Sequence, residues 1–294
     1  MANTLINSLP DYIENKKDEL FVKAVASTKT LDYVEIMPNV KYKENLNYLD
    51  STVVLADGSE CGWNPQGSDT FGARTIEVYP IAVQKEFCAK ELRKTYANYQ
   101  LAFEAGRETL PFEEKIAQSQ IAAIKKEVEK MVWQGNATVG MAGFLAQMAA
   151  DNAVVDVTFG EGADIVAKLD AVIAAIPAGA LEKGTNVFLS WTDFRAYVKA
   201  INAECCNNTI IDANVVALPY SGDSRITLVP VAGLEGTGKI VAAPFDAIVY
   251  GTDIVGSEGV YRMFYDVKEG KFLFDVQFTA GTALKFPDEI VLGK

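Results

Sequence analysis

The chain has 294 residues, with 27 Lys or Arg, 39 Asp or Glu and no His, for a formal net charge of -12. Apolar residues make up 49% and charged residues 22%, a globular balance that argues against a disordered, fibrous or coiled-coil chain and allows a core that needs no disulfide or structural metal. Without imidazole there is no Ser-His-Asp or Cys-His catalysis, no HExxH zinc site and no histidine acid-base chemistry, and the acidic balance opposes a dedicated DNA or RNA reader, whose affinity comes largely from Lys and Arg on phosphates.

The first residues, MANTLINSLPDYIENKKDEL, lack the basic segment and apolar run of a secretory signal. Residues 9–27 predict a short amphipathic helix starting near Pro10 and Asp11, with Ile13, Leu20, Phe21 and Ala24 as its apolar strip. From Val34 to about Leu55, and again from Thr75 to Val83, β-branched and aromatic residues alternate with polar ones, the pattern of strands. Between them DGSECGWNPQGSDTFG reads as the flexible tip of a long two-stranded excursion. Such a ribbon is marginal alone in water, and Trp63, Asn64, Pro65, Phe71 and Arg74 at its tip make it a candidate contact between subunits. The alternative is a tip folded back on its own domain.

The strongest helical pattern covers residues 112–134, where Phe112, Ile116, Ile121, Ile124, Val128 and Met131 recur three to five apart. Pro111 and two glutamates open it, three lysines occupy its second half and Gly135 stands at the expected C′ position, as the helix dipole prefers. After a small-residue stretch, the chain predicts a helix over 163–176, a strand over 186–191 and a helix over 192–206 capped by Thr192. Strands follow at 210–218, 226–231 and 239–250. The end predicts a β tail: strands 260–267 and 271–280 around a turn at 268–270, then a last strand after Gly281.

Individual motifs carry little chemistry. Gly233-Leu-Glu-Gly-Thr-Gly-Lys239 fits most of a P-loop, but Ile240 stands where a Mg²⁺-binding Ser or Thr is needed, and the β-branched run after it predicts a strand where a P-loop needs a helix. A glycine-rich turn accounts for it. Cys61, Cys88, Cys205 and Cys206 show no CxxC spacing and read as inert thiols of a reducing compartment. Lys85, Lys90, Arg93 and Lys94 are interleaved with Glu86 and Glu91, which suits an ion-paired helix better than a phosphate track. The Asn136 and Asn207 glycosylation patterns have no meaning without a secretory signal. No uninterrupted apolar span of membrane length occurs, so the sequence predicts a soluble, cytoplasmic α+β protein in which no motif assigns catalysis, a cofactor or a metal.

The order of parts (arm, extended loop, long helix, α/β block, β tail) resembles that of the major capsid proteins of tailed double-stranded DNA bacteriophages. LPDYIENKKDEL, DGSECGWNPQG, RTIEV, KEFCAKEL, FEEKIAQSQIAAIKKEVEKMVWQG, VPVAGLEGTGKIVAAP, IVYGTD and FLFDVQFTAGTALKFPDEIVL are similar to stretches in capsid proteins of phages infecting Bacteroides-type bacteria. The resemblance implies an N-terminal arm (1–33), an extended β-hairpin loop (34–84), a peripheral domain (85–143 and 259–294) with a spine helix over 112–134, and an axial α/β domain (144–258). It also implies self-assembly through hexamers and pentamers, in the host bacterial cytoplasm, into an icosahedral virion capsid. Extended loops would lie over neighbouring subunits, portal and scaffolding or decoration proteins would be partners, and the enclosed double-stranded DNA would be held without sequence-specific binding. The acidic balance suits an inner wall on which DNA packs without sticking. Two other readings remain: an encapsulin-like compartment around protein cargo, and a phosphate-binding enzyme using the Gly233–Lys239 loop.

Overall fold

The computed structural model describes residues 2–25, 28–55, 67–92, 94–96, 112–203, 218–220, 223–253 and 260–294. The arm is two helices, α1 (Ala2–Asn15) and α2 (Lys17–Val25), followed by a 3-10 turn at Lys29–Tyr33. One helix starting at Pro10 was expected; instead Pro10 lies inside α1. Proline there removes one intrahelical hydrogen bond. Leu9 and Ile13 flank it and are buried against the same core as Leu20 and Ala24, and that burial offsets the lost bond, since helical stability in proteins comes mostly from packing of the apolar face.

Strand β1 (Glu35–Met37) is short. Strands β2 (Lys43–Val53) and β3 (Gly67–Glu77) form the ribbon, paired antiparallel from Lys43 opposite Glu77 to Val53 opposite Gly67. Strand β4 (Tyr79–Cys88) continues the chain into a different sheet, so the 34–84 interval holds both the ribbon and a strand of the body.

Helix α3 (Phe112–Gln134) is the longest of the described helices, and Gly135, at φ 79, closes it in the left-handed conformation that glycine adopts without strain. Helices α4 (Phe144–Ala150), α5 (Ile165–Ala174), α6 (Ala178–Lys183) and α7 (Trp191–Ala203) follow, interleaved with β5 (Val155–Val157) and β6 (Thr185–Leu189). The cap of α7 is Ser190, whose Oγ accepts from the Asp193 N–H at 3.0 Å. The expected cap, Thr192, is the second residue of α7 and donates its hydroxyl to Glu235. Strands β7 (Leu218–Tyr220), β8 (Asp223–Pro230), β9 (Ile240–Pro244), β10 (Ile248–Gly251), β11 (Val260–Asp266), β12 (Lys271–Leu284) and β13 (Val291–Gly293) complete the chain. Most of the strand expected at 210–218 lies outside the described residues, and the single strand expected over 239–250 is two strands belonging to different sheets.

The sheets explain the apolar pattern. In a five-stranded sheet of order β1-β10-β12-β11, with β4 also on β12, the 14-residue β12 pairs β10 at one end and both β4 and β11 at the other. Phe272, Phe274, Val276 and Phe278 alternate along β12 and point into the core that also holds α1, α2 and α3. The second sheet has order β5-β13-β9-β6-β8-β7. Its two faces are both buried: Phe188, Val229, Val241, Ala243 and Leu292 face the α3 core, while Val187, Leu228, Ile240, Ala242 and Val291 face a second core with α5, α6 and α7. Burial on both faces is why β9, β13 and the Val187–Leu189 half of β6 read as unbroken apolar runs.

Candidate functional site

The ribbon is the part of the described chain that stands furthest from the pattern of an ordinary surface. Its base is anchored: Leu46 and Ile76 are buried with Val40, Val78, Val249 and Ala283. Directly opposite Leu46, Arg74 on β3 places Nη1 2.7 Å from Asp151 Oδ2 at the end of α4; burial pushes the Asp151 carboxyl up, but the Ala153 N–H and then Arg74 outweigh it and hold the carboxyl below its usual range. Next, Tyr48 lies edge-on to Phe286, ring centres 6.0 Å apart.

Leu46, Tyr48, Arg74 and Ile76 occupy one pleat face and touch the body. The opposite face carries Asn45, Asn47, Leu49, Phe71, Ala73 and Thr75, all exposed. Polar residues belong there, yet Phe71 is 82% exposed and the Leu49 opposite it 55%. Val53, Val54 and Leu55 extend the apolar surface outward. Exposed apolar groups clustered on one face of a ribbon mark a contact surface.

Of the residues singled out from sequence on the loop, Phe71 therefore sits on the exposed face, Arg74 is engaged with its own chain, and Trp63, Asn64 and Pro65 lie outside the described residues. Along α3, Ile121, Ile124, Val128 and Met131 are buried in the core shared with α1, α2 and the long sheet, and Ile116 packs against it half-buried; Phe112 is buried in a separate small cluster with Leu92, Tyr96 and Ile116.

Sequence reasoning missed the polar centre of that core. Glu129 is buried toward the C-terminal end of α3; its Oε1 accepts from the Thr30 hydroxyl at 2.5 Å, and the Trp133 indole N–H donates to the same Thr30 oxygen at 2.7 Å. Burial pushes the Glu129 carboxyl up, opposed by the Thr30 hydrogen bonds and by Lys29. Burial likewise lowers the Lys29 ammonium to about 8, and its Nζ lies 4.8 Å from the Trp191 ring centre. The signal was present in the sequence as a carboxylate at an apolar-face position of an otherwise regular helix, four residues before a Trp.

The Gly233–Lys239 loop has no phosphate geometry. It forms a 3-10 turn at Ala232–Leu234 and runs into the buried strand β9 with no helix after Lys239. A Cβ on Gly233 would lie 2.3 Å from Trp133 Cδ1 and 2.5 Å from the Glu129 carbonyl oxygen, so glycine is required for the turn to lie against α3, and Gln134 Nε2 donates to the Gly233 carbonyl at 2.8 Å. Among the described residues no group of three or more Cys, Asp or Glu could hold a metal, and no helix is long and apolar enough to cross a membrane. Cys88 is an unpaired, exposed thiol.

No protein-family model and no curated protein matches the sequence. Solved structures do match in shape. The satellite phage P4 procapsid including size determination (Sid) protein aligns with TM-score 0.63 at 13% identity, covering 97% of this chain and 90% of that one. The Microbacterium phage Oxtober96 structure gives TM-score 0.58 at 12% identity over 91% of both chains. The virus-like particle from Pyrococcus furiosus gives 0.57 at 8% identity over 99% of both. Aligned with such structures over nearly its whole length, the chain has the fold of phage capsid proteins.

Proposed function

We propose that this chain is the shell-forming subunit of a phage capsid, a structural protein without catalytic activity that self-assembles through hexamers and pentamers around double-stranded DNA. The observation that carries the reading is the amphipathic ribbon: its base is locked to its own body while Leu49 and Phe71 face away from that body, exposed. A monomer gains nothing from such a surface, whereas a closed shell repeats the contact at every subunit, and many modest contacts add up. The fold supports the reading, and so does the net charge of -12, which keeps packaged DNA from adhering to the wall.

Under it, residues 1–33 are the arm, 34–84 the extended loop, 85–143 and 259–294 the peripheral domain, and 144–258 the axial domain meeting its copies at the capsomer centre. Portal and scaffolding or decoration proteins complete the particle, which assembles in the host bacterial cytoplasm. The stretches similar to capsid proteins of phages of Bacteroides-type bacteria support assigning it to that branch. Electron microscopy of the purified protein tests the proposal: rings, capsomers or closed shells are expected. A monodisperse 31.9 kDa species at every salt concentration would overturn it, and shells that enclose protein and never DNA would make it a compartment instead.

A further inference from the structure

The arm is fastened to its own body by two kinds of contact that respond differently to pH. Apolar contact comes from Leu9, Ile13, Leu20 and Ala24, buried where α1 and α2 pack on α3 and β11. Polar contact is concentrated in the 3-10 turn, where Thr30 donates its hydroxyl to Glu129 and accepts from the Trp133 indole. One residue earlier, the Lys29 ammonium sits over the ring of Trp191, the first residue of α7. The turn therefore ties the arm to α3 and α7 at once.

This seat leaves polar groups in conflict with their surroundings. Glu129 is a carboxyl in an apolar core, and the Tyr261 hydroxyl, under α1 beside Tyr12, is buried with no hydrogen-bond partner among the described residues. Lifting the arm would return both to water, which offsets part of the cost of exposing the apolar contacts. The charges that face Glu129 are few. The turn brings Lys29 and Asp32, whose fields reach Glu129 directly and through Lys29 respectively. On α2, Glu19 and Lys23 pair with each other at the surface. Helix α4 and the Ala232–Leu234 turn carry no charged side chain, Asp193 of α7 accepts from Ser190, and Lys125, Lys126 and Lys130 of α3 lie outside the buried stripe.

We propose that α1, α2 and the 3-10 turn form a strap that opens from the body as one unit, with Thr30, Glu129 and Trp133 as its catch and with Glu129 and Lys29 making its closure depend on pH. Closed, the strap takes Glu129 out of water and raises its carboxyl; open, the carboxyl returns to about 4.3. Closing takes up a proton, so closure weakens as pH rises from about 4.3 through the raised value. Lys29 acts in reverse. Burial lowers its ammonium to about 8 when the strap is closed, against about 10.4 when it is open, so closing sheds a proton there and closure strengthens again as pH rises above 8. The strap is tightest in acid and loosest between the two ranges, near neutral pH. This property belongs to the single subunit and does not depend on what the subunit assembles into.

Amide hydrogen exchange of the full chain from pH 5 to pH 9.5, corrected for the intrinsic pH dependence of exchange, tests it, because opening of one segment is read separately from global unfolding. Protection of α1 and α2 should fall at least about threefold from pH 5 to pH 7.5, the effect of half a unit of difference in one carboxyl, and recover above pH 8. Protection of β13, buried between the two cores, should not follow that course. Glu129→Gln should remove the fall and Lys29→Met the recovery. A flat profile in the parent chain, which needs no variant to fold, overturns the proposal. So does a fall that survives in E129Q, a recovery that survives in K29M, or an arm that loses protection only together with β13.

Discussion

Glu129 is the residue whose behaviour the fold explains most directly. A carboxylate in the apolar face of α3 survives because Thr30 brings a hydroxyl from the arm to meet it and Trp133 donates to the same oxygen. Thr30→Val keeps the shape and removes that hub, so it should lower stability by about 1–3 kcal/mol for each polar group left unpaired, read by denaturant unfolding. The charge itself works against the fold. Burial raises the Glu129 carboxyl in the native state, so the folded protein binds this proton more tightly than the unfolded chain; stability from this group is full below the unfolded value of about 4.3 and is lost as pH rises through the folded one. Glu129→Gln keeps an acceptor for Thr30 and discards the charge. Its melting temperature relative to the parent should therefore rise between pH 4 and pH 7, and a difference that is flat or falls with pH would contradict this account.

At the scale of elements, α3 and the ribbon obey opposite rules. Ile124 is buried between the arm helices and the long sheet, so Ile124→Ala should cost about 2–5 kcal/mol through lost burial and the cavity left behind. Phe71 is exposed, and Phe71→Ser should change subunit stability by no more than about 0.5 kcal/mol while abolishing shells under the microscope. Arg74 is the intermediate case: its ion pair with Asp151 is partly solvated, so Arg74→Ala should cost about 1 kcal/mol or less. The ribbon therefore divides at Tyr48 and Gly72, with body inside that line and surface beyond it. Removing residues 50–70 should leave a cooperative melting transition and no closed shells, whereas a cut extending to Ile76 and Val78 removes buried core and should compromise folding.

Across the whole molecule, the six-stranded sheet is one wall shared by two cores, and its C-terminal strand binds them. β13 lies between β5 and β9, pairing parallel with the first and antiparallel with the second; Leu292 enters the α3 core and Val291 the core of α5 to α7. Ending the chain at residue 289 removes three consecutive fully buried side chains, Ile290, Val291 and Leu292, and splits the sheet. Such a truncation should unfold both cores together, with no separate transition for the block of α5 to α7 in calorimetry. Two resolved transitions would show instead that the cores are independent.

Most elements could be read from local pattern, because local chemistry decides them. The 3.6-residue period of α3, the glycine at its end, the turn at residues 268–270 and the alternation in β2 and β3 are properties of a few neighbouring residues. Phe71 was legible for the same reason, since a large apolar side chain in a Gly- and Ser-rich stretch conflicts with its surroundings on sight. The failures involve distance in sequence. Pro10 sits inside a helix because the body covers Leu9 and Ile13, and Ser190 displaced Thr192 as a cap because Glu235, from a remote turn, took the Thr192 hydroxyl. Arg74 reads as a free cation until Asp151 appears beside it, and Glu129 as one more solvated acid until the arm closes over it. The run from residue 239 to 250 splits into strands of two sheets because β13 and β12, from the far end of the chain, claim its two halves. Period and composition fixed which segments would be helix, strand or turn; partners brought together from distant sequence decided which surfaces are core, which carboxylates are held, and which face of the ribbon is left exposed.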